Sequence, residues 1–249
     1  MKPSVILGAL AIGALFAFAA HAHADSVVMV TMEWPPFRVA GERGGEWSGI
    51  DIDLMREVSR RAGIEPVITE ASWSRCLEMV RLGHADLMTG VAWTAERAAG
   101  MTYVPTSYAS VQPVFYARSG GGGTVTSYES LYGKAIGHSV NTAYFDRFNG
   151  DGALTKIPLK DEMTKLKMLT LGRIDLAIGT DPNLSWYIER FGMKGLVEPT
   201  AWQPAEKIPL YVVVSPASKI PNLAARLDGA LRSMIEDGTL AGIQNGNRK

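Results

Sequence analysis

The sequence predicts an α/β fold in which strands and helices alternate along the chain. Runs rich in β-branched residues, such as residues 26–32 and 209–214, have the composition of strands. Between them lie segments whose apolar residues recur at helical spacing. The 249 residues are 47% hydrophobic and 20% charged, which is ordinary for a globular chain. Alternation of this kind is typical of βαβ units, so we expect a mainly parallel sheet.

Each strand is predicted from a short apolar or β-branched run between turn residues. The first run, residues 26–32, ends at Trp34-Pro35-Pro36-Phe37, because proline removes a donor from the strand ladder. The other predicted strands cover residues 66–69, 85–89, 110–117, 134–137, 174–178 and 209–214.

Each helix is predicted from an apolar stripe. In residues 50–62 the stripe consists of Leu54, Met55, Val58 and Ala62. Glycines follow three of the stripes, at residues 63, 83 and 238, where they end the helices. The predicted helices cover residues 50–62, 74–82, 142–148, 161–171, 183–191 and 221–236.

The N-terminus has the pattern of a secretory signal peptide. A positive start at Met1-Lys2 precedes an apolar run over residues 5–20 and the small-residue site Ala22-His23-Ala24. A transmembrane anchor is the alternative, but an uninterrupted span needs about 20 apolar residues. We therefore expect residues 1–24 to be removed by cleavage after Ala24, with a cut after Ala22 as the second option. The mature chain is expected to be soluble and periplasmic.

Composition argues against several classes of protein. Lys+Arg and Asp+Glu both number 25, so no basic surplus favours nucleic acid. The single cysteine, Cys76, cannot form an internal disulfide, and its position on a helix face predicts a buried small side chain rather than a reactive thiol. His84 and His138 lack neighbours at metal-ligand spacing, so no metal or other cofactor is expected. Common hydrolase and nucleotide-binding motifs are missing too, which favours binding over catalysis.

Unusual side chains cluster where predicted strands end. In open α/β sheets, ligands bind outside the carboxyl ends of the strands. Four segments lie at such ends or at the turns beside them: Glu33–Phe37, Ser72–Arg75, Thr89–Arg97 and Gly137–Thr142.

Six segments, in their order and spacing, carry a family resemblance. They are EWPPF (33–37), GIDIDLMREVSRRAG (49–63), GHADLMTGVAWTAER (83–97), SLYGKAIG (130–137), LGRIDLAIG (171–179) and a terminal helix that ends in EDGT (236–239). Over nearly the whole mature chain, the sequence resembles bacterial extracellular solute-binding proteins of family 3, the receptors of polar-amino-acid ABC importers.

The resemblance implies a type II periplasmic-binding-protein fold with two α/β lobes joined by two crossover strands. Lobe 1 would contain residues 25–112 and 210–249, and lobe 2 would be the inserted residues 113–209. It also implies a monomer that closes by hinge motion around a small polar ligand, either amino-acid-like or a carboxylate. The closed protein would then dock on the membrane permease of an ABC importer.

The resemblance assigns most ligand contacts to lobe 1. Trp34 and Trp73 would form aromatic walls, although core packing is the alternative for both. Arg97 would bind the ligand carboxylate with two hydrogen bonds, because guanidinium is planar, bidentate and always charged. Its alternative is a surface ion pair, for example with Glu96. Backbone or hydroxyl contacts would come from Thr89, Gly90 and Ala92, the last of which replaces a residue that is often Ser or Thr.

In lobe 2, Asn141 and Thr142 are predicted at a helix N-terminus, where free N–H groups favour a carboxylate. Simple helix capping is the alternative. The family commonly places an ammonium-binding acid after the sixth predicted strand. Thr180 matches that position here, and Asp181 follows one residue later, where it either binds the ligand or caps a turn.

Two other functions stay open at the level of sequence. An enzyme on the same scaffold, of the cyclohexadienyl-acid dehydratase type, would need a carboxylic acid of raised pKa in the cleft, and Glu33 or Asp181 are the candidates. A ligand-sensing receptor that reports to a membrane sensor is the other possibility.

Overall fold

A computed structural model describes residues 24–42 and 45–246. The expected signal peptide, residues 1–24, lies outside them except for Ala24. Within the described ranges, no helix has the length and apolar character that crossing a membrane requires.

Ten strands build the sheet, and most coincide with β-branched or apolar runs. In β1, for example, Val27, Met29 and Val30 are fully buried. The strands are β1 (Asp25–Thr31), β2 (Ile64–Glu70), β3 (Leu87–Ala92), β4 (Thr102–Tyr103), β5 (Ala109–Arg118), β6 (Ala135–Ser139), β7 (Thr155–Leu159), β8 (Leu176–Asp181), β9 (Val197–Pro199) and β10 (Ile208–Val214).

Within the described residues, eight α-helices pack around the sheet. Left-handed glycines end α1 and α2, at Gly63 (φ 65°) and Gly83 (φ 78°), as the sequence predicts. The helices are α1 (Ile50–Ala62), α2 (Trp73–Leu82), α3 (Ala95–Ala98), α4 (Asp146–Gly150), α5 (Glu162–Thr170), α6 (Asn183–Arg190), α7 (Leu223–Glu236) and α8 (Thr239–Gly246).

The sheet runs continuously in the order β2-β1-β3-β10-β5-β8-β6-β7. The neighbours β1 and β2, and likewise β6 and β7, are parallel, whereas β10 and β5 run antiparallel to the strands beside them. Strand β5 lies in the middle of the sheet and pairs with strands of both halves. Its residues 109–111 pair with β10 and its residues 112–117 pair with β8.

The elements form two groups, each with its own apolar core. The first group, hereafter lobe 1, contains β1–β4 and β10 with α1–α3, α7 and α8, and its cores are built around Leu54 and Cys76. The second group, hereafter lobe 2, contains β6–β9 with α4–α6, and its cores are built around Phe115 and Leu166. The chain passes from lobe 1 to lobe 2 through β5 and returns through the segment before β10.

Most predicted elements are present, with boundaries shifted by at most three residues. The largest difference concerns the predicted helix over residues 142–148, which is reduced to α4. Sequence reasoning also missed β4, β7, β9, α3 and α8. The miss of β7 matters for function, because the strand leads directly into the second wall of the cleft.

Candidate functional site

A cavity of about 570 Å³ lies between the two lobes. Its lobe 1 side is formed where β1, β2 and β3 end, as expected for the carboxyl ends of parallel strands. The polar and aromatic side chains from lobe 1 are Glu33, Trp34, Arg38, Glu70, Ser72, Trp73 and Arg97. Those from lobe 2 are Ser139, Thr142, Tyr144, Lys160, Asp161, Glu162, Thr180 and Tyr187.

Arg97 reaches from lobe 1 to lobe 2. Thr94 caps the short helix α3 by accepting a hydrogen bond from the Arg97 backbone N–H (3.2 Å), which fixes where the side chain begins. Nη1 donates to the carbonyl of Ala92 (2.8 Å), and Nη2 donates to the carbonyl of Asn141 in lobe 2 (2.7 Å). The ring of Trp73 lies 5.5 Å from the guanidinium carbon. Arg97 therefore has only neutral partners, and no carboxylate within the described ranges pairs with it.

Burial lowers the pKa of Arg97, while Tyr103 and Glu96 act in the opposite direction. An arginine guanidinium nevertheless stays protonated in proteins. The cleft thus contains a permanent positive charge that is desolvated and not neutralised by an ion pair. Such a group favours an anionic ligand.

Asn141 joins the two lobes through three hydrogen bonds. Its carbonyl accepts from Arg97 and from the indole Nε1 of Trp73 (2.9 Å), and its side-chain Nδ2 donates to Ser74 Oγ (2.8 Å). A further bond between the lobes runs from Asn183 Nδ2 to the Pro35 carbonyl (2.6 Å). A second cavity of about 500 Å³, lined by Asn141 and His138, shares Arg97, Thr142 and Ala143 with the main one.

Arg38 is held in the lobe 1 wall by a buried network. Its Nη1 donates to Asp51 Oδ2 (2.8 Å) and to the carbonyl of Thr89 (3.0 Å), and its Nε donates to the Met32 carbonyl (3.1 Å). Asp51 is fully buried and also accepts hydrogen bonds from Thr89 Oγ1 and Tyr108 Oη, both at 2.8 Å. The network fixes the guanidinium of Arg38 at the cavity wall.

In lobe 2, the charged groups are largely paired with one another. Glu162 accepts from Ser139 Oγ (2.9 Å) and forms an ion pair with the buried ammonium of Lys165 (2.7 Å). Burial lowers the pKa of Lys165, but Glu162 and Tyr144 outweigh this effect, so the pKa lies above its usual value. Asp161 caps α5 by accepting a hydrogen bond from the Thr164 N–H (2.7 Å).

The hydroxyl of Tyr187 is buried near carboxylates of the cavity. Its pKa is raised by burial and then by the carboxylates of Glu33, Glu162 and Asp161. These three acids line the cavity from both lobes. Among the described lining residues, Arg97 is thus a cation without an ion-pair partner, Lys160 lies 3.5 Å from Asp161, and Glu33 and Glu70 add negative charge.

The structure brings most of the predicted site residues to the main cavity. Those that line it are Trp34, Trp73, Gly90, Ala92, Arg97, Thr142 and Thr180. Trp34 also stacks on Phe37 at 4.5 Å between ring centroids, so this side chain packs on the core and faces the cavity at once.

Three predicted site residues lie elsewhere. Thr89 is 1% exposed and sits beneath the wall, where it bonds Asp51 and Arg38. Asn141 contacts lobe 1 and lines the second cavity. Asp181 is half-buried outside the main cavity lining, and its Oδ1 accepts a hydrogen bond from Ser185 Oγ (2.6 Å).

The predicted helix N-terminus at Asn141 and Thr142 is wrong. Asn141 adopts a left-handed conformation (φ 56°), which asparagine tolerates better than most residues, and helix α4 begins only at Asp146. The free N–H groups of a helix end are therefore not available at this turn, and the Asn141 carbonyl presents an acceptor instead.

Several polar residues of the cavity were not among the predicted site residues. Arg38 directly follows the EWPPF segment, and Glu70 is the last residue of β2, so the strand-end rule could have found both. Ser139 ends β6 in the same way. Asp161 and Glu162 follow β7, whose sequence TKIPL contains a proline and was not predicted as a strand.

No cluster of His, Cys, Asp and Glu in the described ranges could hold a metal ion. Cys76 is buried, as predicted, and burial raises the pKa of its thiol to about 11. A thiol of that pKa is a poor nucleophile near neutral pH.

The sequence profile of the bacterial extracellular solute-binding proteins, family 3, matches residues 27–246. The chain belongs to this family. No curated protein sequence matches it significantly. Family membership identifies the chain as a solute-binding protein and agrees with the two-lobed α/β fold and the cavity between the lobes.

Solved structures show the same fold at low sequence identity. An amino acid ABC transporter substrate-binding protein from Streptococcus pneumoniae, bound to L-arginine, has a TM-score of 0.75 at 19% identity, over 90% of this chain and 94% of that one. An ancestral arginine-binding protein bound to arginine gives 0.75 at 18%, over 90% and 98%. A histidine kinase sensor domain similar to periplasmic binding proteins gives 0.76 at 19%, over 90% and 96%.

Proposed function

We propose that this solute-binding protein captures an amino-acid-like zwitterion in the periplasm and delivers it to the permease of an ABC importer. The observation that carries the proposal is the state of Arg97. Its guanidinium lies between the two lobes, donates to the carbonyls of Ala92 and Asn141, and forms no ion pair with a carboxylate of the described residues. Each terminal nitrogen carries a second hydrogen, so the group can still donate to a ligand carboxylate.

The acidic residues of the cavity support the other half of the zwitterion. Glu33 and Glu70 line it from lobe 1, and Asp161 lines it from lobe 2. An ammonium group in this region would gain from the field that raises the pKa of Tyr187. Thr180 offers only a hydroxyl at the position where the family commonly has an acid, so in this chain the ammonium contact would come from these other carboxylates.

Closure of the lobes requires contacts on both sides of the ligand. A ligand shifts an open–closed equilibrium only through its differential contacts with the two states. Lobe 1 provides the arginine, and lobe 2 adds Thr142, Asp161 and Thr180 once the lobes approach each other. The relatives bound to arginine have the same fold, and an amino acid ligand for this chain is in keeping with them.

The proposal is tested by thermal denaturation of the chain without residues 1–24, in the presence of each L-amino acid. A ligand at about 100 times its dissociation constant adds roughly 2.7 kcal/mol of stability, which a thermal shift detects. We expect one chemical group of amino acids to raise the melting temperature, and mass spectrometry to recover the ligand unchanged. A chain that responds to no amino acid, or that converts its ligand to a product, contradicts the proposal.

A further inference from the structure

Arg38 is a second arginine in the wall of the main cavity. The family motif does not include it, and the proposed binding of a carboxylate by Arg97 does not require it. Its side chain is only 3% exposed. Nε and Nη1 are fully engaged with Met32, Asp51 and Thr89. Within residues 24–42 and 45–246, Nη2 has no hydrogen-bond partner. Nη2 is not one of the fully buried polar atoms that lack a partner, so it contacts the space of the cavity and is free to donate to an acceptor from outside the chain.

The surroundings of Arg38 keep Nη2 open to the cavity. The ring of Trp34 lies 5.0 Å from the guanidinium carbon, and both residues line the cavity. Gly90 faces the same group, and a Cβ at that position would come within 2.6 Å of Nη1 and 3.4 Å of Nη2. Because Gly90 has no Cβ, there is room for the guanidinium beside it. The hydrogen bonds of Nε and Nη1 then hold the guanidinium in one orientation, as a preorganised donor.

Arg38 and Arg97 donate hydrogen bonds to two different main-chain carbonyls of β3. Nη1 of Arg38 bonds the carbonyl of Thr89, and Nη1 of Arg97 bonds that of Ala92. These two carbonyls lie three residues apart on β3, where the strand is bulged beside Gly90. A ligand whose carboxylate contacts Arg97 can thus reach Arg38 with a second group several bonds away.

The charge around Arg38 limits which chemical groups of the ligand can bind there. Asp51 already neutralises the guanidinium through an ion pair at 2.8 Å. The accepting group therefore does not need a negative charge, but it must present an oxygen lone pair to an N–H. A side chain that ends in an ammonium or a methyl group cannot meet this requirement.

We propose that Arg38 is a specificity-determining residue whose Nη2 donates to a side-chain carbonyl or carboxylate oxygen of the ligand. This rests on the proposed function, because it takes the α-carboxylate to be at Arg97. The ligand class is then an amino acid with an oxygen-terminated side chain, of about the length of glutamine or glutamate.

Calorimetric titration of the chain without residues 1–24 tests the proposal with four probes: L-glutamine, L-glutamate, L-norleucine and L-lysine. We expect the better of the two oxygen-bearing probes to bind about tenfold or more tighter than norleucine and lysine, because a site built to hydrogen-bond rejects analogues that lack the partner. Equal affinities, or tighter binding of norleucine or lysine, overturn the role of Arg38 and leave the proposed function intact. If no amino acid binds, both proposals fail.

The variant Arg38→Lys gives a second readout that depends on the residue itself. Lysine keeps a positive charge beside Asp51 but lacks the planar fork. We expect the preference for the oxygen-bearing probe over norleucine to fall to about threefold or less, while circular dichroism confirms the fold. Arg56→Lys, on the exposed part of α1, is the matched control and should keep the full preference. A preference that survives Arg38→Lys contradicts the proposal.

Discussion

The two walls of the cavity hold their charges in different ways. In lobe 1, Arg97 is anchored by main-chain carbonyls, so its charge stays available to a ligand. In lobe 2, Lys165 and Glu162 neutralise each other, and Asp161 caps its own helix. Under the proposed function, lobe 1 would provide the strong ligand contact, and the paired charges of lobe 2 would stabilise the surface that closes over the ligand.

Removal of the lobe 1 cation should have the largest effect on binding. In Arg97→Ala, the ligand carboxylate would lose its charge-assisted hydrogen bonds and stay in a desolvated site, so we expect affinity to fall about 100-fold. Titration with the tightest amino acid of the thermal screen measures this. Arg60→Ala, which removes an exposed arginine paired with Glu57, is the control. An affinity within threefold of the original would contradict the binding of the ligand carboxylate by Arg97.

In lobe 2, breaking the buried pair should change stability instead of ligand choice. Lys165→Met leaves Glu162 without its ammonium partner, and loss of one partner of a buried pair costs about 3–5 kcal/mol. Urea denaturation of the ligand-free chain measures the loss. The double variant Lys165→Met/Glu162→Gln should recover part of it. Lys194→Met breaks an exposed pair with Glu189 and should leave the urea midpoint unchanged. A midpoint of Lys165→Met close to the original contradicts a structural role for this pair.

Contacts between the walls should favour the closed form even without ligand. Trp73→Phe removes the donor to the Asn141 carbonyl, and Ser74→Ala removes the partner of its side chain. Each lost bond should raise the open-to-closed ratio by up to about tenfold. Small-angle scattering of the ligand-free chain would then show a larger radius of gyration, largest in the double variant. A radius unchanged from the original and from Arg56→Ala would mean that these bonds do not hold the lobes together.

The smallest effect is expected at Asp181. Its carboxylate already accepts hydrogen bonds from the Ser185 hydroxyl and backbone, away from the main cavity. Asp181→Asn should therefore change amino acid affinity by less than about twofold, since an amide oxygen can keep one of these bonds. A tenfold loss in the same titration would instead make Asp181 the ammonium acceptor that the family pattern suggests.

The same contrast between the walls explains what could be predicted from the sequence. The lobe 1 contacts come from continuous segments, and Trp34, Trp73 and Arg97 all lie where strands or short loops after them were predicted. In lobe 2, Pro158 obscured β7. The strand tolerates the proline because it lies at the edge of the sheet and pairs only with β6.

The turn at Asn141 shows a second limit of sequence reasoning. Asparagine and threonine before an apolar run favour a helix start by local preference. The conformation actually adopted is stabilised by Trp73, Ser74 and Arg97, which are distant in the sequence. Likewise, the fold brings Asp51 of α1 to Thr89 of β3 and to Arg38, which are distant in the sequence. Such long-range partners could not be predicted from local patterns.

A crystal structure of the chain without residues 1–24, in complex with the tightest amino acid of the screen, tests the central claim most directly. We predict the ligand between the lobes, with its α-carboxylate about 3 Å from the terminal nitrogens of Arg97. An Arg97 side chain turned out of the cavity, or a ligand whose carboxylate is held by other groups, would contradict this account.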